Sequence, residues 1–259
     1  MAAAYRWVEE AAGSTLRPGS VLVTSFTSAG LDATVAAHYI VRSLNLPRVG
    51  QLESSDSAPI AVIQGGHVNP AVRVYAQTNF GVVVSEFPPL LASAAPLAEA
   101  ILAAAESHRA RMIVCLEGVV PHPVDEEGET DGTESVWFAA SKEDPSTLTG
   151  FTAAGARRLE DGVIGGVSGA LLVAGLRRTV PVVTLLVSST VPEGFPDHRA
   201  GAALIEMLDR MLPEIRIDTK PLRTQAETIE KALRAAMRNR PKTAPDTTEP
   251  GAPAPGMYQ

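Results

Sequence analysis

The sequence predicts a three-layer α/β/α domain built around a mostly parallel or mixed sheet. Two observations carry that expectation. Apolar runs of strand length alternate with alanine-rich helical patterns along most of the chain, as expected where helices cross back over a sheet. One run, VPVVTLLVSS (residues 180–189), is apolar almost without interruption, the pattern of a strand covered on both faces. With 259 residues and an apolar share of 45%, the chain can fill the core of one larger α/β unit.

The elements follow in order. SVLVTSF (20–26) is short and β-branched and reads as a buried strand. It leads into AGLDATVAAHYIVRSLNL, a helix whose Leu31, Val35, Tyr39 and the stem of Arg42 share one face; Pro47 closes it. PIAVIQ, AVRVYAQ and FGVVVSEF are three further strands. The TNFG turn joins the last two, pairing residues 71–77 with 80–86 as a hairpin. LASAAPLAEAILAAAESHRA is a helix with Pro96 in its first turn, and RMIVCLEGV is a buried strand. The acidic, glycine-bearing stretch 122–135 reads as an exposed loop and SVWFAAS as a short strand. GGVSGALLVAGLRR is a helix opened by glycines. Asp197 caps the helix HRAGAALIEMLDRMLP, and TQAETIEKALRAAMRNR is the last helix.

Residues 1–240 thus form a single α/β domain with a C-terminal helix. From Pro241 the composition changes to five prolines among small polar residues with no helical period. Such a segment has too little apolar surface to offset its ordering entropy, so residues 241–259 are expected to be a disordered, proline-stiffened tail. Extended, it would reach roughly 60 Å. It finishes on Met257, Tyr258 and Gln259.

Charge and composition narrow the function classes. A net charge of −7 argues against a nucleic-acid footprint. The start MAAAYRWVEE lacks the features of a signal peptide, and no run of about 18 apolar residues suggests a membrane span. Cys115 is the only cysteine, which fits a reducing compartment. A soluble, cytoplasmic protein is the expectation.

Catalytic patterns are sparse. No P-loop motif occurs. GVIGGVSG (162–169) has the makings of an anion cradle at a helix start, but close helix–sheet packing is the better explanation of such glycines. GVSGA lacks the spacing of a nucleophile elbow, which leaves Ser168 a poor nucleophile. His38, His67, His108, His122 and His198 make no ligand pair, so neither a metal nor a cofactor is expected. Glu86 ends an apolar strand, where a sheet of this kind opens its cleft; it suits either a general base or a helix cap. Asp197 and His198 are adjacent and point apart.

The segments SFTSAGLDATVAAHYIV, NFGVVVSEFP, GVIGGVSGALLVAG and PDHRAGAALIEML, in this order over most of residues 20–235, resemble the proteasome assembly chaperone 2 family with its archaeal Pba-type members. The resemblance implies a nucleoside-phosphorylase-like core with no required enzymatic activity. It also implies a role for the ending: Met257-Tyr258-Gln259 matches the hydrophobic–tyrosine–any-residue tail that docks on the 20S proteasome α-ring. There the terminal carboxylate would pair with a lysine between adjacent α-subunits, a known mode of peptide capture. Tyr258 would add a ring and a hydroxyl at the pocket rim, and Met257 would fill a shallow apolar site. One such tail binds weakly, while several on one homo-oligomer, a tetramer by resemblance, gain by effective concentration. Ile229, Leu233 and Ala236 recur at helical spacing, either to assemble that oligomer or to pack on their own domain. The expected function is an ATP-independent assembly chaperone or activator. The alternative is a nucleoside phosphorylase- or hydrolase-like enzyme using Glu86 and the Gly165–Gly169 loop.

Overall fold

Among the described residues nine strands make one mixed sheet, and the reason for its mixture is visible in its order. The computed structural model describes residues 5–10, 16–27, 31–55, 57–119, 134–189, 191, 195–212 and 215–238. Its strands in chain order are β1 (Arg6–Glu9), β2 (Val21–Ser25), β3 (Arg48–Glu53), β4 (Ala61–Gln64), β5 (His67–Pro70), β6 (Arg73–Gln77), β7 (Phe80–Val84), β8 (Met112–Val119), β9 (Val136–Ala140), β10 (Arg157–Arg158) and β11 (Val182–Ser188). The sheet runs β1-β3-β6-β7-β2-β8-β11-β9-β10.

The centre, β7-β2-β8-β11, is parallel, with Val21 opposite both Phe80 and Met112, and Val182 opposite Ile113. Every residue of β2, β7 and β11 is buried, as helices on both faces demand. The β1-β3-β6-β7 side is antiparallel throughout. On the other side β9 runs antiparallel to β11, and β10 parallel to β9. The expected hairpin is β6–β7, with Gln77 opposite Phe80.

Two helical layers cover the sheet. α1 (Asp32–Ser43) and α5 (His198–Met211) lie on one face, where Ile40, Leu116, Leu185, Leu204 and Phe138 share a core. α2 (Ala94–Ser107) and α4 (Gly166–Gly175) lie on the other, where Leu97, Ile101, Ile113 and Leu171 share a second core. α3 (Pro145–Ala153) packs Phe151 into the first core, its ring stacked on Phe138 with centroids 5.5 Å apart. Asp197 caps α5 as expected, accepting hydrogen bonds from the amides of Arg199 and Ala200 at 3.1 and 2.9 Å.

The structure adds three details to the elements read from the sequence. PIAVIQ is a strand but lies outside the main sheet: β4 pairs only with β5, through a turn at Gly65 and Gly66, both with positive φ. In α1 the buried face is Ala33, Ala36, Ala37, Ile40 and Val41, while Leu31, Val35 and Tyr39 are only half-buried. The cause is the close approach of α5: a Cβ on Gly201 would meet Asp32 O and Val35 Cγ1 at 3.1 Å, so small side chains take the contact and large ones flank it. Finally, β1, β3, β5, β10 and α3 were not foreseen by periodicity.

α6 (Lys220–Arg238) begins in the α/β body, which spans Met1–Ala226; Glu227–Gln259 is a separate unit. Within that second unit Ile229 is exposed and Glu227 lies 4.0 Å from Lys231, one turn on. The tail 241–259 and residues 122–133 of the acidic loop, His122 among them, lie outside the described residues. Among the described residues no helix is long and apolar enough to cross a membrane.

Candidate functional site

Two groups of ionisable side chains sit at the carboxyl ends of the central parallel strands, on opposite faces of the sheet. On the α1 side Glu86 follows β7. Arg73, wholly buried on neighbouring β6, directs Nη2 at Glu86 Oε1, and His38 Nε2 of α1 lies 2.7 Å from the same oxygen. Arg73 spends its other donors on Tyr75 Oη at 3.2 Å and the Pro70 carbonyl at 3.0 Å. Burial pushes the Glu86 pKa up, but the hydrogen bonds from His38 and Arg73 and the guanidinium charge outweigh it and hold the pKa at about 2. A carboxylate so held is a weak proton acceptor at neutral pH. It forms the floor of an open groove of about 800 Å³, walled by Val35 and Tyr39 of α1, Ile63 of β4 and Leu222 of α6. The large α1 side chains that the core excludes therefore line this groove.

On the α4 side Glu117, near the end of β8, accepts a hydrogen bond of 2.5 Å from buried Ser168 Oγ in the first turn of α4. Burial, aided by the negative charge of Asp32, raises the Glu117 pKa to about 7 against the opposing pull of the Ser168 hydrogen bond. Asp32 opens α1, is fully buried, and accepts the Ala33 amide at 2.7 Å. Its carboxylate lies flat on the backbone of Gly118: a Cβ there would stand 1.9 and 2.1 Å from the two carboxylate oxygens. Gly118→Ala is therefore expected to cost about 1–3 kcal/mol by overpacking, a fall of roughly 3–10 °C in melting temperature for a body of this size; an unchanged calorimetric melt would refute the close contact.

Glu86 and the Gly165–Gly169 segment lie on opposite faces of the sheet, and the groove at Glu86 is lined by none of residues 165–169. Ser168, singled out by its glycine neighbours, faces the Glu117 carboxyl, and among the described residues no histidine is bonded to it. Glu117 was overlooked, although the signal that marked Glu86, an acid closing an apolar strand, is equally present in RMIVCLEGV. Cys115 is buried and its thiol is pushed up to about 11 by burial, so it is inert as a nucleophile. Among the described residues no three His, Cys, Asp or Glu side chains are grouped to hold a metal ion. Met257, Tyr258 and Gln259, the residues expected to bind a partner, lie outside the described residues.

Comparison with known proteins places this architecture. The crystal structure of Pyrococcus furiosus PbaA, described as an archaeal homolog of proteasome-assembly chaperone, superposes with a TM-score of 0.77 at 23% identity, covering 91% of this chain and 92% of that one. Pyrococcus furiosus PbaB, described as an archaeal proteasome activator, does so with a TM-score of 0.73 at 19% identity, covering 90% and 99%. An uncharacterised protein of Methanocaldococcus jannaschii is 26% identical over 215 residues, 83% of this chain and 84% of that relative. The model of the PAC2 family matches residues 22–237, which span the sheet from β2 through nearly all of α6, and the chain belongs to the PAC2 family.

Proposed function

We propose that this protein is an ATP-independent proteasome assembly chaperone or activator. Its α/β body forms a homo-oligomeric platform, and Met257-Tyr258-Gln259 docks on the α-ring of the 20S proteasome. The observation that supports this most is the likeness of the whole body to PbaA and PbaB within one family. The engagement of Glu86 by Arg73 and His38 points the same way, since the carboxylate best placed for a cleft serves the fold. Docking by the final carboxylate needs no nucleotide, only a basic pocket and an apolar rim.

Capture of purified α-rings by the full-length chain tests the proposal. Deleting Met257–Gln259 is expected to abolish capture while leaving the oligomer mass and the thermal melt unchanged. Tyr258→Ala is expected to weaken each docking event at least tenfold, or about 1.4 kcal/mol. Undiminished capture by both variants would rule the docking mode out.

A second reading, a nucleoside- or phosphate-handling enzyme, draws on one observation: the Glu117–Ser168 pair at the strand ends, with a carboxyl poised near neutrality. Calorimetric titration with nucleosides and inorganic phosphate separates the two. Saturable binding that is lost in Glu117→Gln would favour the enzyme; none is expected.

A further inference from the structure

The β4–β5 hairpin leaves one edge open. β4 pairs only with β5, and among the described residues no strand lies on its other side. A two-stranded sheet is marginal by itself and gains from a third strand. Arg48 of β3 holds the hairpin to the body through the Asn69 side chain, and Arg73 does so through the Pro70 carbonyl at 3.0 Å. The open edge therefore has a fixed place.

That edge faces the groove above Glu86. Val62, Ile63 and Gln64 all line it, and no residue of β5 does. Successive side chains of a strand point to opposite faces, so three in a row border one cavity where it meets the strand edge-on.

The turn fixes which backbone groups are offered. Gly65 and Gly66 form a two-residue loop with φ of 58° and 80°, and the pair that closes such a loop, here Gln64 with His67, is hydrogen-bonded. Pairs alternate from there: Val62 with Asn69 is bonded, while Ile63 with Val68 and Ala61 with Pro70 are not. Pro70, which has no amide hydrogen, stands at an unbonded position, as this alternation requires. The N–H and C=O of Ala61 and Ile63 thus point away from β5, and among the described residues they bond no other element.

The opposite wall is α1. Leu31, Val35 and Tyr39 recur every fourth residue as one apolar row, and Thr34, His38 and Arg42 as a polar row beside it. From Thr34 to Arg42 the helix rises roughly 12 Å, close to the length of four extended residues, about 13 Å. The charge of the groove is lopsided. Its carboxylate, Glu86, is already engaged by Arg73 and His38, whereas Arg42 is exposed with no ion pair among the described residues.

We infer that this groove is a strand-addition site, in which an extended segment of a partner protein pairs with the free edge of β4. Ala61 and Ile63 supply the main-chain hydrogen bonds, and alternate side chains of the guest pack on Val35, Tyr39 and Leu222, the division of labour by which added strands are recognised. The guest is apolar at alternate positions and acidic between them, because the unengaged charge in the groove is the Arg42 cation. The inference goes beyond tail docking and rests neither on it nor on the oligomer.

Fluorescence polarisation of the full chain with a labelled hexapeptide of alternating valine and glutamate tests it. Saturable binding is expected. N-methylation of the peptide amides, which blocks main-chain pairing and spares the side chains, is expected to weaken it at least tenfold, and so is replacement of glutamate by lysine. Ile63→Pro removes an outward amide at a position that gives no hydrogen bond to β5, so it is expected to cost at least tenfold in binding with an unchanged melt. Arg42→Glu should reverse the preference between the glutamate and lysine peptides. Should Ile63→Pro lower the melt, the N-methylated peptide on the wild type reads the same bonds. Absence of saturable binding, or equal binding of the N-methylated peptide, overturns the inference. So does an oligomer mass that falls in Ile63→Pro while no peptide binds the wild type, since the edge would then belong to a second copy. Failure here is distinct from failure of tail docking: Ile63→Pro is expected to leave α-ring capture intact, and deletion of Met257–Gln259 to leave peptide binding intact.

Discussion

Arg73→Met is expected to destabilise the α/β body by about 3–5 kcal/mol, the cost of leaving a partly buried carboxylate without its cation. Methionine retains much of the apolar stem, so lost volume contributes little. Three acceptors depend on this one wholly buried guanidinium: Glu86, Tyr75 and the Pro70 carbonyl. The pH dependence identifies the cause. Glu86 has its pKa depressed from 4.5 to about 2, so the folded state holds the ionised form more strongly than the unfolded chain does. Its contribution, about 3 kcal/mol at 1.36 kcal/mol per unit, is present above pH 4.5 and lost as pH falls through about 2. The gap between wild type and Arg73→Met in urea denaturation should therefore be widest near neutrality and narrow in acid. Adding Glu86→Gln to Arg73→Met should recover part of the loss at neutral pH, since removing both charges spares the uncompensated one. A gap that is constant with pH would mean that packing, not charge, is what Arg73 supplies.

How much of this was legible follows from where each interaction is encoded. β2, β8 and β11 show as apolar runs because helices cover both faces, and burial on both faces writes itself into consecutive residues. β1 (RWVE) and β3 (RVGQLE) are half-exposed, and the register shifts between Arg48 and Gly50. Nothing local distinguishes them from loop; β3 is a strand because β6 offers an edge, and β1 because β3 then offers another. α3 (PSTLTGFTA) is poor in strong helix formers, and what sustains it is the Asp144 side chain on the Thr147 amide at 2.9 Å together with Phe151 in the core. The electrostatic sites divide in the same way. Glu86 was readable as an acid at a strand end, but Arg73 reaches it only through the β6–β7 pairing that sets Arg73 opposite Val84. Glu117 and Ser168 are 51 positions apart and meet only because α4 packs against β8. Spacing motifs cannot register such a pair.

Glu117→Gln is expected to act in the opposite direction to the Arg73 change, stabilising the body at neutral and alkaline pH. Burial and the charge of Asp32 raise the Glu117 pKa from 4.5 to about 7, so between those values the folded state holds a proton that the unfolded chain has released. Stability then falls as pH rises through this interval and levels off above it, by up to about 3 kcal/mol at 1.36 kcal/mol per unit. The amide keeps an acceptor for Ser168 Oγ while removing the second negative charge from beside Asp32. Below pH 4.5 the two proteins should therefore be about equally stable, and the variant should gain steadily toward neutrality, reaching about 3 kcal/mol near pH 8. Ser168→Ala should act the other way on the same curve: without the hydroxyl the carboxylate loses the one hydrogen bond that favours its ionised form, and the downward slope should extend to higher pH. Parallel pH–stability curves for wild type and Glu117→Gln would show that the carboxyl titrates as it does in the unfolded chain, and the Glu117–Ser168 pair would then lose its standing as a group poised near neutrality.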